Sequence, residues 1–243
     1  MKLESTRKHW NRLAETDPLW AVLTAPGKKG NRWQLEEFLA GGRAEVAAQI
    51  AVVRRLHPAL GPGAALDFGC GVGRLSQGLA EHFGHVTGLD ISEKMLELAR
   101  RYNRHGDRVR YVHNTHPDLR DLASNQFDFV YSLITLQHME PAYARGYIAE
   151  FVRVAAPGGA ILFQIPAAIG PPPFTLWPDT LVKRLLRKVR ILLGLDSVIE
   201  MHALPRAEVE AELRAAGAEI IDVYRYNAAG PGIESWCYLA RKP

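Results

Sequence analysis

The chain has 243 residues, 47% of them hydrophobic and 23% charged, enough apolar content for one sizeable core and too much for wholesale disorder. No apolar stretch escapes charge for the roughly 18 to 20 residues that a bilayer crossing needs, and Lys2, Glu4, Arg7 and Lys8 leave no apolar signal-peptide core, so a soluble cytoplasmic protein is expected. A net charge of +4 is too small over this surface to call for a nucleic-acid partner, and two cysteines, Cys70 and Cys237, with no Cys-x-x-Cys pair argue against a disulfide framework and a structural zinc site.

Residues 1–42 carry Trp10, Trp20, Trp33 and Phe38 around a Pro-Gly-Lys-Lys-Gly turn at 26–30 and read as an N-terminal helical cap, with Trp33 or Phe38 a candidate to close over a ligand. The turn Gly61-Pro62-Gly63 then leads into a core, residues 62–165, in which two periodicities alternate. A strand is expected at 64–68, a helix from Arg74 to Phe83, a strand from His85 to Leu89 and a helix from Ser92 to Tyr102. Strands at Val109 to His113 and Phe127 to Leu133, a helix at Ala142 to Val154 and a strand at Ala160 to Ile165 follow. Ser92 is placed to cap its helix, and Pro157-Gly158-Gly159 to stop the one before the fifth strand. Residues 166–202 interrupt this alternation with a Pro-rich loop and an amphipathic helix, Leu181 to Leu193, and are expected to form an inserted substrate lid. Residues 203–243 supply a closing helix, Arg206 to Ala216, and two strands, Glu219 to Tyr226 and Ser235 to Arg241, in an antiparallel hairpin. The expectation is one domain of the α/β class: a doubly wound, Rossmann-like sheet of seven strands, mostly parallel, with helices on both faces.

The densest chemical signal is Leu66-Asp67-Phe68-Gly69-Cys70-Gly71-Val72-Gly73-Arg74, lying between a strand and a helix, with Gly88-Leu89-Asp90-Ile91-Ser92 ending the next strand. Glycines at 69, 71 and 73 permit positive φ and close approach of backbone to a ligand. Asp90, at the end of the second strand, offers two acceptor oxygens that match the two hydroxyls of a ribose. A nucleoside-containing cofactor is therefore expected. A dinucleotide turn requires Gly-x-Gly-x-x-Gly/Ala, and here the third glycine comes one residue early while Arg74 occupies the place of the small residue. An NAD-dependent oxidoreductase is disfavoured on that ground.

The stretch resembles instead the Asp-x-Gly-x-Gly-x-Gly signature of class I S-adenosylmethionine (SAM)-dependent methyltransferases, and the resemblance continues through Phe127-Asp128-Phe129-Val130-Tyr131-Ser132, Leu136-Gln137-His138 and Arg153 to Gly159. It implies SAM as cofactor, with Asp67, Gly69, Cys70, Gly71, Gly73 and Ser132 among the cofactor-binding residues. It further implies Asp90 on the ribose, Ile91 and Met95 flanking the adenine, and Asn114 facing the adenine amine, where many relatives have Asp.

Methyl transfer from a sulfonium needs alignment of the acceptor and exclusion of water, and a base only when the acceptor arrives protonated. His138, just past the fourth strand, and His202, at the end of the insert, are the candidate bases. Cys70 reads as a small filler beside the cofactor, and the His-x-x-His pairs at 82/85 and 113/116 lack a third metal ligand. The expected reaction is in-line methylation of an O or N atom of a small molecule, apolar or anionic, and nothing in the pattern speaks to oligomeric state. A nucleic-acid methyltransferase is the closest rival; Ser132-Leu133-Ile134 lacks the Asn/Asp-Pro-Pro-aromatic element that amino-methylating DNA enzymes use. A SAM-binding regulatory or interaction module without turnover is the alternative from another class.

Overall fold

The computed structural model describes residues 3–170, 200–226, 230 and 232–243. Its centre is a seven-stranded sheet in the order β3-β2-β1-β4-β5-β7-β6, built from β1 (Ala64–Phe68), β2 (His85–Asp90), β3 (Val109–His113), β4 (Phe127–Ser132), β5 (Ala155–Ile169), β6 (Glu219–Arg225) and β7 (Ile233–Arg241). Strands β1 to β5 pair in parallel, and β7 lies antiparallel between β5 and β6. The order reverses between β1 and β4, the crevice in which open α/β sheets hold ligands beyond the carboxyl ends of their strands. Near-continuous burial along β1, β4 and the middle of β5 follows from cover on both faces.

Seven helices occur among the described residues: α1 (Leu3–Thr16), α2 (Pro18–Val22), α3 (Leu35–Leu56), α4 (Arg74–Leu79), α5 (Glu93–Tyr102), α6 (Pro141–Val154) and α7 (Arg206–Ala215). Helix α3, 22 residues long, is the largest departure from the sequence-based expectation, which left residues 43–61 unassigned. It buries Phe38, Leu39, Val46, Ile50 and Val53 and passes so near α4 that a Cβ on Gly42 would stand 2.5 Å from the Arg74 carbonyl oxygen. Helix α4 ends at Leu79, short of Phe83, and the chain continues in turns closed by bonds such as Phe83 N–H to Leu79 O, 3.0 Å. Strand β5 is much longer than expected. Its β7 pairing carries it past Pro166 to Ile169 across a register shift, so the first residues assigned to the insert belong to the sheet. The expected lid helix, Leu181 to Leu193, lies outside the described residues. Ser92 caps α5 as expected, its Oγ accepting from the Met95 N–H at 3.2 Å. No helix among the described residues is long and apolar enough to cross a membrane.

Candidate active site at the switch point

The turn from β1 to α4 holds Gly69, Gly71 and Gly73 at φ of 75°, 51° and 81°, left-handed conformations that a side chain rarely tolerates. Asp90, at the end of β2, ties this turn in place: one carboxylate oxygen accepts from the Gly71 N–H and the other from the Ser92 N–H, both at 2.8 Å. Burial raises the Asp90 pKa, and those backbone donors oppose the rise. A cavity of about 280 Å³ opens beside the turn. It is lined by Gly69, Cys70, Gly71, Asp90, Ile91, Met95 and Asn114 together with Ile134, Thr135, His138, Met139 and Tyr143. Seven of the ten expected cofactor-binding positions thus line one cavity. The glycine backbone, the acid and the apolar pair Ile91 and Met95 fit a nucleoside in chemical kind.

The other three are placed elsewhere. Asp67 is fully buried beneath the turn, where its carboxylate accepts the Ser76 hydroxyl at 2.6 Å and the Ser76 backbone N–H. That N–H belongs to the first turn of α4, whose donors lack helical partners, so the acid serves as a cap reaching in from the neighbouring strand. Burial pushes its pKa up to about 7. Gly73 stands clear of the cavity; a Cβ there would collide with the Tyr111 hydroxyl. Ser132 is also buried, its hydroxyl donating to the Phe68 carbonyl at 3.0 Å between β4 and β1. For Asp67 and Ser132 the cause is one, since a strand's side chains alternate between the two faces of the sheet and a signature written along the chain does not say which residues turn away.

Asn114 lines the cavity while its side chain braces the loop after β3, the amide oxygen accepting from His116 N–H at 3.0 Å and the nitrogen donating to Asp118 O at 3.1 Å. Cys70 is buried, and desolvation raises its thiol well above the usual range, consistent with filling space and not with attack. Of the two histidines, His138 reaches the cavity and His202 does not. His202 sits behind the turn, where its N–H donates to the Gln137 carbonyl at 2.7 Å. Burial lowers the His138 pKa to about 4 against the opposing pull of the Glu200 carbonyl, which keeps the ring neutral at ordinary pH.

The cap closes the cavity with other residues than those expected. Trp33 turns its indole N–H to the Leu23 carbonyl at 3.1 Å, and Phe38 is buried under the Arg74 guanidinium. Trp10 does the closing, its ring edge-on to His138 at 5.3 Å, with Leu3, Val22 and Leu23 beside it. Arg74 also lines the cavity, paired with Glu45 of α3 at 2.6 Å, while Tyr226 donates to the other Glu45 oxygen at 2.7 Å. Glu45, Trp10 and Tyr226 lie far from the glycine turn in sequence, and no local pattern marked them.

Residues 65–159 match the family model of a methyltransferase domain. A ubiquinone biosynthesis O-methyltransferase of Aromatoleum aromaticum is 38% identical over 101 residues, 41% of this chain and 42% of that protein. A demethylmenaquinone methyltransferase of Clavibacter sepedonicus is 36% identical over 115 residues, 47% and 45% of the two chains. This chain therefore spans less than half the length of these relatives. Among solved structures, the magnesium protoporphyrin IX methyltransferase of Synechocystis with bound SAH superposes with a TM-score of 0.66 at 21% identity, covering 99% of both chains. Signature, matched domain and strand order agree: residues 65–159 are similar to a methyltransferase domain, set in a sheet whose fold is that of solved SAM-dependent methyltransferases.

Proposed function

We propose that the protein binds SAM along the Gly69–Gly71 turn, with Asp90 on the ribose, Ile91 and Met95 against the adenine and Asn114 at its edge, and methylates an oxygen of a small, largely apolar molecule held on the His138 side. When bound, SAM supplies an electrophilic methyl group and leaves as its thioether. The observation that carries this reading is one cavity lined both by the glycine turn and Asp90 and by a neutral histidine among apolar side chains. A hydroxyl is favoured over a permanent nucleophile because a neutral imidazole at the cavity is placed to take its proton as the new O–CH3 bond forms. Leu3, Trp10, Ile134 and Met139 exclude water, and Trp10 and Tyr143 offer edges and faces to a flat ring. The similar proteins, a ubiquinone biosynthesis O-methyltransferase, a demethylmenaquinone methyltransferase and a magnesium protoporphyrin IX methyltransferase, agree with a flat apolar acceptor.

The test is incubation with methyl-labelled SAM and a panel of catechols, hydroquinones and simple phenols, with products resolved by mass. Labelled O-methyl product that disappears in His138→Gln supports the reading. SAM binding with no transfer to any oxygen or nitrogen acceptor, in this panel or in a small-molecule extract, would favour a regulatory SAM-binding role.

A further inference from the structure

Behind His138 runs a chain of polar side chains of which only Gln137 falls within the sequence signature. Gln164 of β5, Gln137 of the turn after β4 and Ser235 of β7 are 0%, 2% and 3% exposed in an otherwise apolar layer. The Gln164 side-chain oxygen accepts from the Ile134 N–H at 2.9 Å, and its nitrogen donates to the Gln137 side-chain oxygen at 3.2 Å and to the Ser235 hydroxyl. The Gln137 nitrogen lies 3.3 Å from His138 Nε2, and His138 Nδ1 lies 3.0 Å from the Glu200 carbonyl. Ile134 has φ of 55°, a left-handed conformation costly for a β-branched residue, and its N–H is held there by Gln164.

The direction of every bond in this chain follows from its ends. A backbone N–H only donates, so the Gln164 oxygen must face Ile134 and its nitrogen must face Gln137. The Gln137 oxygen accepts that bond, which leaves the Gln137 nitrogen, another donor, toward His138 Nε2. That ring nitrogen must then carry a lone pair, and Nδ1 must carry the proton. The far end agrees independently, because the Glu200 carbonyl only accepts and requires a proton on Nδ1.

We propose that Gln164 and Gln137 are positioning residues that lock His138 as the neutral Nδ1–H tautomer with its Nε2 lone pair available, through a hydrogen-bond polarity set by the strained Ile134 amide. The role in methyl transfer rests on the reading of His138 as the base; the tautomer lock does not. An acceptor hydroxyl competes for Nε2 against a long, weak bond from Gln137. The resulting imidazolium is disfavoured at rest, because an amide N–H faces Nε2 and the Gln137 oxygen is already engaged. Burial is the main opposition to a charge on the ring, the Glu200 carbonyl favours that charge, and His9 on α1 and His202 add smaller opposition.

The experiment is nitrogen NMR of histidine-labelled full-length protein, with His138 assigned by comparison with His138→Gln. Wild type should show a pyridine-type Nε2 and a pyrrole-type Nδ1. In Gln137→Glu a carboxylate replaces the amide donor. Nε2 should then become protonated, and the titration midpoint of His138 should rise by about 1 to 3 pH units, the range for an opposite charge in contact. Gln164→Met, which removes the anchor without adding charge, lets the Gln137 amide turn its oxygen toward Nε2 against the hold of the Glu200 carbonyl on Nδ1, and should add an Nε2-protonated population that wild type lacks, whereas Ser235→Ala should leave the wild-type signature. A wild-type Nε2–H tautomer, or an unchanged Nε2 signal in folded Gln137→Glu, overturns the proposal. If Gln137→Glu does not fold, a single unchanged tautomer in Gln164→Met overturns it equally. Turnover is a separate arm: full methyl transfer by His138→Gln removes the base from the reaction and leaves the tautomer result standing.

Discussion

Replacing Asp67 by Asn separates the two acids of the glycine region. Asp67 is buried with its carboxylate on the Ser76 hydroxyl and N–H, and burial raises its pKa to about 7 from an unfolded value near 3.8. A carboxyl whose native pKa lies above its unfolded value binds its proton more tightly when folded. Its stabilising effect is therefore complete below about pH 4 and is lost as the pH rises to about 7. At about 1.4 kcal/mol per pH unit, the native state at pH 8.5 carries a burden on the order of 4 kcal/mol relative to a neutral group. Asn is nearly isosteric; its oxygen can accept the Ser76 N–H and its nitrogen can donate to the Ser76 oxygen, so the cap of α4 persists. Guanidinium unfolding at pH 8.5 should show the variant more stable by a few kcal/mol, and at pH 4 the two proteins should differ by less than about 1 kcal/mol. Calorimetry should find SAM affinity within about threefold, under 1 kcal/mol. Lower stability of the variant at pH 8.5 would refute the assigned burden. A tenfold loss of SAM affinity with the fold intact would return Asp67 to the cofactor site.

Asp90→Ala is expected to weaken SAM binding by about 1 to 3 kcal/mol, because a carboxylate on the ribose is lost, with a smaller change in apo stability as water replaces the carboxylate at the freed Gly71 and Ser92 N–H groups; calorimetry and thermal unfolding measure the two separately. Gly71→Val should abolish SAM binding and also push the cap aside, since a Cβ there would stand 2.7 Å from Val22 Cγ2; protease should then cut α2 faster than in wild type. Gly42→Ala should destabilise the fold by about 1 to 3 kcal/mol by forcing α3 from α4, and an unchanged unfolding midpoint would contradict the close approach. With the His138 pKa lowered to about 4, the base form dominates above that pH, so kcat/KM should lose activity on acidification near pH 4 and not near the ordinary histidine value of about 6.5.

Much of this protein is written in short-range pattern. The strands β1 to β5, the capped start of α5 and the glycine turn are each coded within a few residues, because backbone φ preference, side-chain periodicity and a cap are local properties. The cofactor class was legible for the same reason: glycine spacing and an acid one strand later lie in one contiguous stretch. Helix α3 was not, since its burial is spread around a 22-residue surface whose contacts, Gly42 against Arg74 and Val46 against Gly78, exist only once α4 is in place. Tertiary structure alone decided that Asp90 lines the cavity while Asp67 and Ser132 are buried away from it, because register and pleat assign side chains to a face of the sheet. It also decided that Trp10, not Trp33, closes the cavity, and that His138, not His202, looks into it. Residues 134, 137, 164 and 235 meet in one hydrogen-bonded chain only because β4, β5 and β7 are neighbours in the sheet, and a directional bond between distant strands has no periodicity from which to be read.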